Sequence, residues 1–169
     1  MEFHPRKCNV MTVSRKRKKP KQRKYKLRKH KLDCTQEVTY LGITISKDLR
    51  WDTQVKKALT AANCSLGFLR RNLRVRSMQT RELAYKALVR PKLEYATSAW
   101  DPYTIDHVSS LEAVQKRAAR WVTSRFRHTS SIGEILDGLQ WETLEDRREQ
   151  RRLQTLWKYT HGHTHIESS

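Results

Sequence analysis

Seven apolar residues after position 52 fall on one helical stripe: Val55, Ala58, Leu59, Ala62, Leu66, Leu69 and Leu73. Spacings of three and four are sustained over about five turns, a period that no strand can satisfy and that demands a covering layer. The segment is predicted as a long amphipathic helix with Asp52 as its N-cap. Ala61, Cys64, Phe68 and Val75 form a thinner apolar line on the opposite side, which points to a helix covered on two faces.

More helical segments follow. A second helix starts near Ser77, with Leu83, Ala84, Ala87 and Leu88 as its buried residues, and Pro91 breaks or kinks it. Leu93 to Trp100 reads as a short helical piece ended by Asp101-Pro102. A third long helix begins at Thr104 and buries Val108, Leu111, Val114, Ala118, Trp121 and Val122. Ser131 with Glu134 has the spacing of a capping box and opens a short helix carrying Ile132, Ile135, Leu136 and Leu139. Thr143 with Asp146 resembles the same device before a last helix that packs Leu153, Leu156 and Trp157, and Gly162 suits its C-cap.

Before residue 50 the period changes to two. In KCNVMTVS (7–14), Cys8, Val10 and Thr12 share one face while Met11 and Val13 share the other. EVTYLGITIS (37–46) is β-branched and aromatic, with Gly42 interrupting it where a bulge or a close backbone approach is expected. Between them, a tight turn near Arg28–His30 would place Tyr25, Leu27, Leu32 and Cys34 on one face of a hairpin. The expected fold is α+β, with antiparallel strands at about 7–14, 24–34 and 37–46 followed by a helical bundle. Residues 1–50 form the strand part, 51–161 the helical part and 162–169 a tail. The core is expected to enclose Leu59, Leu66, Leu69, Leu88, Leu111, Ala118 and Trp121.

Charge narrows the function. The formal net charge is +19, and Arg15 to Lys31 carries twelve basic residues with no acid. Removing those twelve from the chain's 36 Lys and Arg still leaves 24 against 17 Asp and Glu, so the positive field extends beyond that stretch. Such a chain seeks a polyanion, nucleic acid first. An anionic membrane is the weaker candidate, since the sequence has no long apolar run. Three cysteines without CxxC spacing suit a reducing compartment. Arg15–Arg23, with Pro20, reads as an exposed loop; the segment after it folds as the hairpin, so the basic stretch is not a tail.

Signs of catalysis are sparse. The five tryptophans sit among basic residues, but Trp121 lies on an apolar stripe and Trp51 and Trp141 precede helices, positions of packing anchors. His161, His163 and His165 have no partner cysteine or carboxylate at metal-site spacing, and Cys64 reads as a packing residue. Glu145-Asp146 lies among Arg147, Arg148, Arg151 and Arg152, where intrahelical ion pairs explain it. There is no GxxxxGK loop, no GxSxG and no Asp-Asp pair. Composition and motifs alone describe a binding module.

Four long segments carry a resemblance. YLGITISKDLRW (40–51), ANCSLGFLRRNLRVRS (62–77), AYKALVRPKLEYATSAWDPY (84–103) and LEAVQKRAARWV (111–122) together resemble the reverse transcriptase of jockey-like non-LTR retrotransposons. The similarity reaches the final helix through LQWETLEDRREQRRL (139–153). HPRKC (4–8) is similar to the family's Asn-Pro-x-Lys-Cys segment, with His4 in place of Asn, and would put Lys7 near the incoming nucleotide. Tyr40, Leu41 and Gly42 match the primer grip, the hairpin that holds the primer 3′ end. The helices from Asp52 onward match the thumb and the helical region after it, which clasp the template–primer duplex.

The resemblance implies a C-terminal fragment: end of palm, primer grip and thumb. The family's catalytic Tyr-Ala-Asp-Asp carboxylates, and the Mg²⁺ they hold, would lie upstream of Met1, so no cofactor and no polymerase activity are carried over to this chain. Its implied partners are RNA, an RNA–DNA template–primer duplex and the remainder of the polymerase, and its implied place is the nucleus after cytoplasmic synthesis. A thumb holds its duplex by shape and phosphate contact, which needs Arg and Lys on helix faces. Arg70, Arg71, Arg74 and Arg76 form the densest patch, and Lys116, Arg117 and Arg120 form another. Arg15, Lys16 and Arg17 open the basic loop, which departs from the family and either grips the backbone or serves as an importin-type signal. A stand-alone nucleic-acid-binding protein derived from such an element, and an inert pseudogene product, are the alternatives.

Overall fold

The computed structural model describes residues 4, 8–13, 24–126 and 131–162. The chain divides into two compact units, Met1–Gln54 and Val55–Ser169. Small β-sheets come first and helices follow, so the fold class is α+β as expected.

In the first unit, β1 (Asn9–Val10) and β4 (Asp33–Cys34) pair, as do β2 (Lys26–Leu27) with β3 (His30–Lys31), and β5 (Glu37–Tyr40) with β6 (Ile43–Ser46). The β2–β3 turn falls at Arg28, whose φ of 56° lies in the left-handed region. This is the expected hairpin, and Leu32 N donates to Tyr25 O at 3.0 Å to extend it. Two expectations fail here. β1 runs parallel to β4, with Asn9 opposite Asp33 and Val10 opposite Cys34, rather than antiparallel. Having left β3, the chain turns away from β2 and lies beside β1, where Thr35 N donates to Val10 O at 2.9 Å. The one-sided quartet therefore splits: Leu27 and Leu32 are half-buried, while Tyr25 and Cys34 are exposed.

The second failure is instructive about glycine. Residues 37–46 are two strands rather than one with a bulge, and Tyr40 faces Ile43 across the turn. Leu41 and Gly42 have φ of 46° and 79°, the pair of positive values that a two-residue primed turn requires. Gly42 meets that requirement without a Cβ penalty. The first turn of the following helix is tied to this hairpin: Thr44 N donates to Gln54 Oε1 at 2.9 Å, and Thr53 Oγ1 to Glu37 Oε1 at 2.5 Å.

That helix, α1 (Asp52–Asn72), leads into the second unit, where α2 (Met78–Leu88), α3 (Arg90–Glu94), α4 (Ile105–Thr123), α5 (Ile132–Gly138) and α6 (Leu144–Thr160) follow. Val55, Ala58, Ala62, Leu66 and Leu69 of the α1 stripe are buried, with Leu59 and Leu73 half-buried. Leu111, Val114, Ala118, Trp121 and Val122 meet the expectation for α4, with Val108 half-buried. The second apolar line of α1 stays uncovered: Ala61, Cys64, Phe68 and Val75 are all exposed.

In α2 the buried set is one step round from the expected one. Leu83 and Leu88 are exposed, Ala87 too, and Tyr85 with Val89 enter the core instead. Tyr85 can do so because its hydroxyl donates to Gln115 Oε1 at 2.9 Å and its ring stacks on Trp141 at 4.4 Å between centroids. Burial pushes its hydroxyl well above the ordinary tyrosine range. Pro91 falls in the first turn of α3, and the chain beyond Glu94 runs as turns to Trp100, whose Nε1 donates to Tyr95 O at 2.8 Å. The two expected capping boxes also differ. Thr143 Oγ1 accepts from Asp146 N at 3.0 Å and caps α6, whereas Ser131 makes no side-chain cap bond to α5. Gly162, at φ 69°, follows α6 in the left-handed conformation of a C-terminal stop. Leu153, Leu156 and Trp157 face outward, and α6 buries Leu144 and Arg148 in their place.

Candidate nucleic-acid interface

The C-terminal end of α1 carries Arg70 and Arg71 in its last turn, where cations also suit the helix dipole. Arg74 and Arg76 follow in the connection to α2. All four are exposed, and among the described residues none has a carboxylate or other side-chain hydrogen-bond partner. On α4, Lys116 is exposed and Arg120 half-buried; neither is hydrogen-bonded or ion-paired through its side chain among the described residues, though Lys116 acts electrostatically on Glu112.

Arg117 links the two patches. Its Nη2 donates to Asn63 Oδ1 at 2.8 Å, fixing that point of α4 against α1. Asn63 and Arg70 are seven residues apart, two turns along one face, or about 10 Å. Lys116, Arg117 and Arg120 thus lie on the helix that Arg117 ties to the Asn63–Arg70 face of α1. Basic side chains held on helices suit backbone contact with a duplex, because phosphates demand charge at fixed spacing without base reading.

The other expected site residues are distributed differently. Tyr40, Leu41 and Gly42 form the tip of the β5–β6 hairpin in the first unit, all exposed, with Leu41 at 72% of its full accessibility. Lys7, Arg15, Lys16 and Arg17 lie outside the described residues. His161 is described: its ring stacks on Trp157 at 4.6 Å and its Nδ1 lies 2.9 Å from Trp157 O, a helix-end contact.

Sequence reasoning missed the strongest electrostatic feature. The arginines of α6 do not pair within their helix. Arg147 and Arg151 converge on Glu94, the latter with Nη2 at 2.7 Å from Oε2 and Nη1 donating to the Glu94 carbonyl at 2.8 Å. Arg90 lies 3.9 Å from the same carboxylate. Arg148 and Arg152 both engage Asp101, with Arg148 Nε donating at 3.0 Å. Glu94 is 4% exposed and Arg148 2%, so each pair has one foot in the interior while its other members stay partly in water. The Glu94 partnership raises the Arg147 pKa, whereas burial lowers that of Arg148 against the pull of Glu112.

Glu112 of α4 completes the contact. It accepts from Glu145 N at 3.0 Å, in the first turn of α6, yet burial still holds its carboxyl above the usual range. The signal for this arrangement was present. Arg147, Arg148, Arg151 and Arg152 share one helix side by spacing, and Glu94 and Asp101 are rare acids in a basic region. What the sequence does not show is that they meet across some fifty residues.

Mg²⁺ does not fit the donors in view. Among the described residues no group of three His, Cys, Asp or Glu side chains could hold a metal ion, and Glu94 and Asp101 are occupied by guanidiniums. No helix among the described residues is long and apolar enough to cross a membrane. Comparison with protein-family models, with curated proteins and with solved structures finds no match for this chain.

Proposed function

We propose that the chain is a nucleic-acid-binding, C-terminal part of a retrotransposon RNA-directed DNA polymerase that holds the template–primer duplex. The observation that carries this reading is the contrast in arginine pairing. In a bundle that matches Arg147, Arg148, Arg151 and Arg152 with the buried Glu94 and the half-buried Asp101, Arg70, Arg71, Arg74 and Arg76 are exposed without a carboxylate partner among the described residues. Unmatched like charges at such density repel one another, and a polyanion relieves that repulsion while releasing its counterions. The four long segments similar to jockey-like reverse transcriptases supply the class of polyanion: an RNA–DNA or RNA duplex.

In this reading the exposed hairpin tip at Tyr40, Leu41 and Gly42 serves at the primer end, the polymerase remainder is a partner and the nucleus is the working compartment. This chain's contribution is grip, and the Mg²⁺-dependent step belongs to carboxylates elsewhere in the enzyme. The isolated chain should show no primer extension with any template, nucleotide or metal.

The direct test is a salt series with an RNA–DNA duplex and the whole chain. Log affinity should fall by roughly 0.7–0.9 per log unit of salt for each phosphate neutralised. Different duplex sequences should bind alike, because backbone contacts carry no sequence information. A slope near zero would remove the physical basis of the reading.

A further inference from the structure

The exposed ring of Phe68 lies on the same helix end as the arginines and has no role in the core. It is 58% exposed, although the sequence pattern around it would suit a second covered face. Cys64 and Arg71 lie four residues before and three residues after it, so both are its helical neighbours. Gly67 adjoins it, and a Cβ there would meet only the Arg71 guanidinium, Nη1 at 3.3 Å. The surface is a shallow shelf of small residues, Ala61, Cys64 and Gly67, with one aromatic ring and unpaired cations at its edge.

Resting on the nucleic-acid reading above, we propose that Phe68 stacks on an unpaired nucleobase of a strand whose phosphates are held by Arg70, Arg71 and Arg74. The substrate class is then a duplex with a single-stranded extension rather than a blunt duplex.

The chemistry favours a base over a protein side chain. A partner helix seated on Phe68 would have to supply, beside its apolar face, an acid for each guanidinium it desolvates. A nucleotide brings both halves together: a flat π-face for the ring and an anionic group for the guanidiniums within reach. Arg70 and Phe68 lie on opposite flanks of the exposed side of α1, with Gly67 and Arg71 between them. That separation lets a backbone run along one flank and a base reach across to the other. Gly67 keeps the surface between them low, with the Arg71 guanidinium lying over it as a ligand for the phosphate.

The experiment uses the whole chain and two RNA–DNA duplexes, one blunt and one with a short single-stranded overhang carrying 2-aminopurine. The intact chain should prefer the overhang and change the 2-aminopurine fluorescence on binding. Phe68→Ala should weaken overhang binding roughly tenfold, leave the blunt duplex unaffected and abolish the fluorescence change. Phe68→Tyr should restore all three. Because the ring is mostly exposed, thermal melting should not shift, which separates stacking from unfolding. Equal affinity of the intact chain for both duplexes, with a steep salt slope, would overturn the stacking role and leave the grip standing. Equal weakening of both duplexes by Phe68→Ala would also overturn it. Failure of the intact chain to bind either would overturn the grip and the stacking together.

Discussion

Arg70, Arg71, Arg74 and Arg76 near the end of α1 and Arg147, Arg148, Arg151 and Arg152 on α6 have the same side-chain chemistry and similar density along the chain. Among the described residues only the second set is matched by carboxylates, chiefly Glu94 and Asp101 from the region between α2 and α4, with Glu142 also on Arg147. The difference teaches that an arginine cluster has no fixed meaning. On α6 it is a structural clamp, directional and centred on the buried Arg148 and Glu94; near the end of α1 it is a field facing water. What separates them is whether the fold delivers an acid to the same place.

The largest expected effect comes from breaking the clamp. Glu94→Ala removes the anion shared by Arg147 and Arg151, a loss of about 1–3 kcal/mol, since Arg147 retains Glu142 and both guanidiniums still reach solvent. Urea or thermal unfolding should show it, and an unchanged midpoint would mean that the clamp is decorative. Next in size is the free field. Replacing Arg70, Arg71 and Arg74 together with Ser should lower the salt slope for RNA–DNA duplex by roughly 2–3 log units per log unit of salt. The same variant should melt close to the intact chain, since no side-chain partner among the described residues is lost. A large drop in stability with no change in slope would invert the comparison.

A pH series sharpens the clamp side. Burial raises the Glu112 carboxyl above its unfolded value, so between those two values the folded chain binds more protons than the unfolded one. Stability from this group therefore falls as pH rises through that window. Glu112→Gln keeps an acceptor for Glu145 N and removes the titration, so it should flatten that part of the stability–pH curve and gain on the native chain above it. An unaltered curve would show that other groups set the pH dependence in that window. The smallest effect should be Arg117→Ala, which loses one exposed hydrogen bond to Asn63; its stability cost should lie at or below about 1 kcal/mol. Duplex affinity should drop more noticeably, because one member of the α4 basic patch is gone.

Much of the bundle was legible because its longest stripes are one-sided and regular. Val55 to Leu69 on α1 and Leu111 to Val122 on α4 are buried as their spacing requires. Where two apolar sets competed, spacing alone chose wrongly. Leu83 and Leu88 outrank Tyr85 by hydropathy, but Tyr85 finds both a ring partner and a hydrogen-bond acceptor, neither visible along the chain. Leu153, Leu156 and Trp157 looked like the docking face of α6 for the same reason, and the ion pairs to Glu94 and Asp101 turned the helix the other way. At the candidate site the basic positions could be read directly, whereas their freedom from partners could not. That freedom depends on which distant acids arrive, a property of the folded chain.

The way α6 is held has a kinetic consequence. A helix of 17 residues that buries only Leu144 and Arg148 gains little from excluding water, and its attachment rests chiefly on guanidinium–carboxylate contacts. Segments with few buried apolar contacts open at low free energy, well before global unfolding. In native-state hydrogen exchange α6 should therefore lose protection ahead of α1 and α4. Each opening would release four arginines together, and a bound nucleic acid would compete with Glu94 and Asp101 to recapture them.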